Sequence, residues 1–153
     1  MSMNEINIRV NKKEDLDSVL QLAEQVFNPN SEEKEKYHKR SDWQEKLDNG
    51  LLVSAFIGEK IVGFAICYKK DDDLHIWNVG VSEDYRKNGI WRKMYEEIVK
   101  FAKSEQFKTL SLNTYKEKFP GMYNFCKNEN FIEYMTEVDT LSGDIKSKFS
   151  KNL

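Results

Sequence analysis

A strand-like segment, a long amphipathic helix and a second strand-like segment follow one another in the middle of the chain. The strands are Leu74–Val81 and Thr109–Asn113, and the helix pattern begins after Gly89. Apolar residues spaced three or four apart share one face of this helix: Ile90, Met94, Ile98, Phe101 and Ala102. Two strands joined by a crossover helix are normally parallel neighbours in one sheet. The sequence therefore predicts a parallel pair inside a larger sheet.

Further strand and helix patterns flank this unit. Strands are predicted at Glu5–Val10, Leu51–Ile57, Ile61–Tyr68 and Phe131–Val138, the last of these as the final strand. Helices are predicted from Leu16 to Phe27, in two short pieces between Ser31 and Asn49 with a Ser41 and Gln44 capping box, and at Pro120–Asn128. No repeat or linker interrupts the pattern, and 153 residues can bury one core. We expect one domain over residues 1–153, with a mixed α/β (α+β) architecture.

Charge and cysteine content narrow the class of protein. The formal net charge is -2, which gives no global field to hold a polyanion, so nucleic acid is not expected as a partner. No apolar run approaches the ~18 residues that span a bilayer, and the start of the chain lacks a signal-peptide layout. Cys67 and Cys126 form no CxxC pair and have no nearby histidine. We therefore expect a cytoplasmic protein with free thiols, no metal site and no membrane contact.

The junction between the first strand and the long helix is rich in positive charge. Arg86, Lys87, Arg92 and Lys93 surround the turn that contains Gly89. Backbone N–H groups at a helix start point outward, and the helix dipole adds about half a positive charge there. This junction is typical of a site for a diphosphate.

The same junction carries a resemblance to a known family. Arg86-x-x-Gly89-x-Trp91 resembles the R/Q-x-x-G-x-G/A diphosphate loop of the GCN5-related N-acetyltransferase (GNAT) family, in the same position between a strand and a helix. Other segments are similar to the family's second hairpin (Gly58–Ala65), the end of its fourth strand (Asn78–Val81) and its terminal segment (Met122–Phe131). The resemblance runs from Ile6 to Val138. The chain departs from the family pattern at Trp91 and Asn130, where small residues are usual.

The resemblance implies a fold, an activity and a cosubstrate. The fold would be a mostly antiparallel sheet with helices on both faces and a splayed parallel pair at its centre. The activity would be transfer of an acetyl group from acetyl-CoA to a primary amine by direct attack in a ternary complex. Residues implied to contact acetyl-CoA are Asn78, Val79, Gly80, Val81, Arg86, Lys87, Asn88, Gly89, Ile90, Trp91 and Arg92.

Two catalytic roles follow from the same resemblance. A glutamate acts as base in related histone-type members eleven positions before the first residue of the loop, where this chain has His75. A histidine suits that role because it titrates near neutral pH; the alternative is a partly exposed strand histidine. Tyr123 matches the tyrosine that protonates the departing sulfur in family members. Its alternative is a core aromatic residue with one hydrogen-bond partner.

The sequence leaves alternatives open for the function, the acceptor and the oligomeric state. Trp91 motivates a non-catalytic acyl-CoA-binding or protein-interaction module, and the lysines of Lys146–Lys151 motivate nucleic-acid binding by a basic tail. An acyl-cysteine route through Cys126 lacks a paired base. The acceptor is either a small-molecule or a peptide amine, and the protein is either a monomer or a homodimer.

Overall fold

The computed structural model describes residues 5–37 and 39–153 of the chain. Within them lie seven strands: β1 (Ile6–Val10), β2 (Gly50–Ile57), β3 (Lys60–Lys70), β4 (Asp73–Val81), β5 (Thr109–Thr114), β6 (Ile132–Val138) and β7 (Ile145–Asn152). They also contain five α-helices: α1 (Leu16–Phe27), α2 (Ser31–Tyr37), α3 (Arg40–Asp48), α4 (Ile90–Ser104) and α5 (Pro120–Asn128). No helix in the described ranges is long and apolar enough to cross a membrane.

The strands form one sheet in the order β1-β2-β3-β4-β5-β7-β6. β4 and β5 are parallel, with Asp73 opposite Thr109 and Ile76 opposite Leu112. The pairs β1 and β2, β2 and β3, β5 and β7, and β6 and β7 are antiparallel. The predicted mixed, mostly antiparallel sheet with one parallel pair joined by a crossover helix is therefore confirmed.

The chain divides into two compact units. The first comprises the described residues up to Tyr68 together with Asn78–Phe101, and the second comprises Lys69–Trp77 and Ala102–Leu153. In the first unit, the ring of Phe64 on β3 lies 6.0 Å from that of Trp43 and 6.2 Å from that of Phe27, centroid to centroid. Trp43 and Phe64 are fully buried, so this aromatic group anchors α1 and α3. The single domain over residues 1–153 stays a prediction.

Helix α4 packs closely on β3 in the first unit. Ile90, Met94 and Ile98 on its apolar face are all buried. A Cβ atom at Gly63 of β3 would lie 2.9 Å from Ile90 Cγ2 and 3.2 Å from Met94 Cε, which is too close for a side chain. This contact fixes the start of α4, and with it the turn that precedes the helix.

The sequence prediction misses strand β7. Residues 146–151 were expected to be a solvated basic tail after a final strand, yet they belong to β7, which lies between β5 and β6. Phe149 is fully buried and Ser147 is 3% exposed, so alternate side chains of β7 face the core. Lys146 Nζ and Lys148 Nζ lie 3.6 and 3.3 Å from the carboxylate oxygens of Glu137 on β6. The lysines are therefore strand residues paired with an acid, which removes the basis for a nucleic-acid-binding tail.

The capping box predicted at Ser41 is also wrong. α3 begins at Arg40, and its N-cap Lys39 makes no capping hydrogen bond through its side chain. Gln44 Nε2 instead donates to Asp48 Oδ1, one turn later, at 3.2 Å. Burial of Trp43 and Leu47 fixes this helix without a cap. The other predicted elements agree with the structure to within two residues at each end.

Candidate functional site

The end of β4 leads into the candidate site in the first unit. Gly80 is buried, and a Cβ atom there would lie 2.6 Å from Phe64 Cε1, so this position requires glycine for packing. Asn78, Val79 and Val81 are partly exposed. The Ser82 N–H donates to the Val62 carbonyl at 2.8 Å, just after β4 ends.

The turn after β4 is held by its own side chains. A short 3-10 helix spans Glu83–Tyr85. Arg86 Nε donates back to the Val81 carbonyl at 3.1 Å. Asn88 Nδ2 donates to the carbonyls of Tyr85 and Arg86, both at 3.2 Å. These bonds go to carbonyl oxygens, so the side chains of the turn do not occupy its backbone N–H groups.

Two residues of the turn have left-handed backbone. Lys87 has φ 65° and Gly89 has φ 78°. Glycine adopts this geometry without steric cost, whereas a side chain there is strained. A Cβ atom at Gly89 would meet no atom within 4 Å, so the flank of the backbone at this glycine is open to an approaching group. The family motif has its glycine at this position, which is consistent with close approach of a ligand.

Helix α4 begins directly after this glycine. The Gly89 carbonyl accepts the first helical hydrogen bond, from the Lys93 N–H at 3.1 Å. The N–H groups of Ile90, Trp91 and Arg92 lie in the first turn, where a helix provides no acceptor. The helix dipole and the exposed Arg86, Lys87 and Arg92 add positive charge. The segment thus has the helix start and the positive charge that are typical of an anion site.

Trp91 replaces the small residue of the family loop, and its ring packs along the helix. The indole lies 5.6 Å from the Tyr95 ring, centroid to centroid, with an interplanar angle of 50°. Tyr95 is buried and lies one turn further along α4. The guanidinium carbon of Arg92 lies 5.9 Å from the centroid of the same tyrosine ring. The large side chain is accommodated by contacts within α4.

His75 lies on β4 in the second unit and is buried, with 9% of its surface exposed. The alternative interpretation, a partly exposed strand histidine, is therefore wrong as to exposure. Its Nδ1 lies 2.7 Å from Ser111 Oγ on β5. Ser111 in turn donates to Asp73 Oδ2, and Thr109 Oγ1 donates to Asp73 Oδ1 at 2.7 Å. The histidine thus belongs to a hydrogen-bonded network across the parallel strands.

Tyr123 lies on α5 in the second unit and is partly exposed. Its ring packs on Phe149 at 5.5 Å between centroids, and its hydroxyl donates a long bond of 3.4 Å to Glu133 Oε1. Hydrogen bonding to Ser147 is the main cause that lowers the pKa of Glu133, and Lys127 and Tyr123 act in the same direction. The tyrosine therefore combines a packed ring with a hydroxyl beside a carboxylate.

Both cysteines are buried and free, as predicted. Burial raises the pKa of Cys67, and it raises the pKa of Cys126 to about 12. A thiol must ionise to act as a nucleophile. Neither cysteine is suited to carry an acyl group near neutral pH.

The predicted acetyl-CoA contacts all lie between residues 78 and 92 in the first unit, while His75 and Tyr123 belong to the second. The sequence reasoning missed Ser111, Asp73, Thr109 and Glu133, which bond to these two residues or to their partners. The available signal was weak. Thr109 and Ser111 are polar residues that alternate with Leu110 and Leu112, which is ordinary for a strand, and only the register of β4 with β5 shows their partners.

Comparison with known proteins identifies a family. The family model "Acetyltransferase (GNAT) family" matches residues 16–129, and the chain matches no curated protein sequence.

Solved structures share the fold at low sequence identity. The ribosomal-protein-S18-alanine N-acetyltransferase from Escherichia coli has a TM-score of 0.79 and 15% identity, over 96% of this chain and 93% of that one. The PaiA N-acetyltransferase from Thermoplasma acidophilum, in complex with coenzyme A, has a TM-score of 0.76 and 18% identity over 100% of both chains. NAA60 from Arabidopsis thaliana, in complex with a bisubstrate analogue, has a TM-score of 0.76 and 16% identity, over 96% and 97%. With the family model covering most of its length, this chain belongs to the GNAT acetyltransferase family.

Proposed function

We propose that this protein transfers an acetyl group from acetyl-CoA to a primary amine by direct attack in a ternary complex. The observation that carries the proposal is the turn at Arg86–Gly89, where the open flank of a left-handed glycine meets the start of α4 among exposed cationic side chains. Family membership supports the general activity, and the similar PaiA structure holds coenzyme A.

Binding of the cosubstrate is assigned to the first unit. The backbone N–H groups of the first turn of α4, with the side chains of Arg86, Lys87 and Arg92, would hold the diphosphate. Asn88 would shape the turn by holding its carbonyls. Backbone groups of Asn78–Val81 would meet the amides of the pantetheine arm, because a strand end offers N–H and C=O groups in a fixed row.

The chemistry needs a proton to leave the amine and a proton to reach the sulfur. An alkylamine with a pKa of about 10.4 is neutral in fewer than about one molecule in a thousand at pH 7. Acetyl-CoA supplies a thioester, which the neutral amine attacks, forming the C–N bond as the C–S bond breaks. We assign removal of the amine proton to His75 and protonation of the leaving thiolate to Tyr123.

The acceptor class is a primary amine on a small molecule or a peptide. One of the similar structures fits the peptide end of this range, because it is named for the alanine of ribosomal protein S18, and another binds a bisubstrate analogue, which fits an acceptor bound beside the cosubstrate. Their identities to this chain are 15% and 16%, so they support the class of acceptor and no particular molecule.

Two measurements test the proposal. A ligand that binds only the folded state raises the melting temperature by mass action, so CoA and acetyl-CoA should each stabilise the protein. A panel of small amines and peptide N-termini, assayed for release of free CoA thiol, should then identify an acceptor. An unshifted melting curve at millimolar acetyl-CoA would contradict the proposal, and stabilisation without turnover across the panel would favour a non-catalytic acyl-CoA-binding module.

A further inference from the structure

Four polar side chains form a network across the parallel strands β4 and β5. Asp73 and His75 are two residues apart on β4, and Thr109 and Ser111 are two residues apart on β5. The register places Thr109 opposite Asp73 and Ser111 opposite His75. Successive side chains of a strand point to opposite faces of the sheet, so all four share one face.

The hydrogen positions in this network follow from its acceptors. A carboxylate only accepts hydrogen bonds, and Asp73 accepts one from Thr109 and one from Ser111. The single hydroxyl hydrogen of Ser111 is therefore directed at Asp73. Ser111 Oγ, at 2.7 Å from His75 Nδ1, must then accept a hydrogen from that nitrogen. Neutral His75 consequently carries its hydrogen on Nδ1 and its lone pair on Nε2.

We propose that Ser111 and Asp73 are positioning residues that hold His75 in the tautomer whose Nε2 accepts the proton of the acceptor amine. The proposal rests on the proposed function, because it gives that base its orientation. In the step itself, the ammonium N–H bond breaks, its proton moves to Nε2, and the freed electron pair of nitrogen forms the C–N bond to the acetyl group. The C–S electron pair leaves with the sulfur of CoA, which Tyr123 protonates. A second N–H proton is lost to solvent to give the neutral amide, and Tyr123 regains its proton from solvent.

The same network suits the imidazolium that results. Both ring nitrogens of a protonated histidine are donors, so the bond from Nδ1 to Ser111 is kept unchanged. The carboxylate of Asp73 lies beyond the serine hydroxyl and provides a negative charge on the same side of the ring. No hydrogen bond of the network has to be broken or reversed when the proton arrives.

The tautomer can be observed directly, without any acceptor. The chain has two histidines, His38 and His75, so the His38→Gln variant leaves one imidazole to follow by long-range ¹H–¹⁵N correlation spectra in the full-length protein. At a pH where His75 is neutral, we expect the hydrogen on Nδ1. Ser111→Ala should move it toward Nε2. A hydrogen on Nε2 with the serine intact would overturn the proposal, whatever the activity of the protein.

Kinetics test whether the orientation matters for turnover. Loss of an outer hydrogen-bond partner of a metal-bound histidine typically costs about 10-fold to 100-fold, and we expect Ser111→Ala to lower kcat by a similar factor. The KM for acetyl-CoA and the CoA-induced rise in melting temperature should be unchanged. Ser111→Thr keeps the hydroxyl and should restore most of kcat. Ser150→Ala is the matched control, because Ser150 lies opposite Ser111 on β7, has no part in the network and should behave as wild type.

A double-mutant cycle separates positioning from structure. If Ser111 acts through His75, Ser111→Ala should cost little more in a His75→Ala background, whereas independent sites would show additive losses. Additive losses, or an unchanged kcat in Ser111→Ala, would overturn the proposal. Failure of the proposed function is a different result, because wild-type protein would then show no turnover, with or without CoA stabilisation, while the tautomer spectrum would still be measurable.

Discussion

Two turns of this protein have the same backbone feature and use it differently. Gly89 before α4 and Gly143 before β7 have φ 78° and 79°, and a Cβ atom at either would meet nothing within 4 Å. In the second turn, Asp139 Oδ1 accepts the N–H groups of Leu141 and Ser142 at 2.9 and 3.0 Å. In the first, the amide of Asn88 donates to carbonyls. The turn before β7 thus contains its own anion, Asp139, whereas the turn before α4 contains an amide donor, Asn88.

The difference shows what such turns do to a negative charge. The hydroxyl of Tyr115 and then the N–H of Ser142 are the main causes that lower the pKa of Asp139 from 3.8 to about 2. Converging hydroxyl and N–H donors therefore stabilise a carboxylate in the turn at Asp139. The turn at Arg86–Gly89 has cationic side chains and an adjacent helix start in place of an internal carboxylate, which suits an anion that comes from a ligand.

The largest expected effect comes from placing a carboxylate in the turn at Arg86–Gly89. Gly89→Glu should weaken CoA binding at least about 100-fold, or about 2.7 kcal/mol, because the new side chain projects into the open flank and repels the diphosphate. Isothermal titration with CoA measures the loss.

Gly143→Glu is the matched control for this variant. It imposes the same left-handed strain, about 1 kcal/mol, in a turn that already contains a carboxylate. CoA affinity should be unchanged in that variant. Equal losses of affinity in both variants would mean that the two turns do not differ in function.

A substitution at Tyr123 should lower turnover without changing the binding of CoA at the turn Arg86–Gly89. Tyr123→Phe removes one hydroxyl, so kcat should fall about tenfold or more, while CoA affinity stays at the wild-type value. The melting temperature should change little, because the hydroxyl's bond to Glu133 is long, at 3.4 Å. Steady-state kinetics beside a thermal melt measure both quantities. Wild-type turnover in this variant would leave Tyr123 as a packing residue of α5.

The turn at Asp139 can be tested through its pH dependence. Tyr115→Phe removes the 2.8 Å hydrogen bond to Asp139 Oδ2 and should lower the free energy of unfolding by about 1 kcal/mol at pH 7. A depressed pKa in the folded state stabilises the protein above the ordinary value of 3.8, and this stabilisation is lost as the pH falls toward about 2. The difference between wild type and variant in urea unfolding should therefore shrink over that range. A difference that is independent of pH would show that the carboxylate charge is not involved.

At Trp91 the expected effect on CoA binding is much smaller than that of Gly89→Glu. Because its ring packs on Tyr95, Trp91→Ala should change CoA affinity by no more than about threefold, or about 0.7 kcal/mol. Loss of the half-buried indole should lower the free energy of unfolding by about 1 to 2 kcal/mol, which is less than the loss expected for a fully buried tryptophan. Titration with CoA and chemical unfolding check the two parts. A large gain in affinity would instead show that the indole obstructs the turn.

Elements with a strong local periodicity could be predicted from the sequence. The apolar face of α4 and the Arg86-x-x-Gly89 turn were predicted in place, because helix spacing and a left-handed glycine leave direct marks in the residues. β7 was missed, because Lys146, Lys148 and Lys151 outnumber Phe149 in it and their pairing with Glu137 and Glu129 depends on strands far apart in sequence.

The hydrogen-bond partners in the candidate site could not be predicted from the sequence either. His75 was found by its distance from the turn, but its bond to Ser111 exists only through the register of two strands separated by α4. Hydrogen-bond partners of this kind are long-range pairings, and a single sequence does not encode them as a local pattern.

The position of β7 between β5 and β6 has a consequence for how the protein is made. A chain growing from its amino terminus contains β5 and β6 before β7 exists, yet both strands pair with β7. This part of the sheet cannot form until Asn152 has been synthesised and released from the ribosomal tunnel. Until then β6 lacks the strand that pairs with its backbone, and the core of this unit lacks the fully buried Phe149 of β7. Pauses in translation before Asn152 is made would prolong this state, in which an unpaired strand makes the nascent chain prone to aggregate.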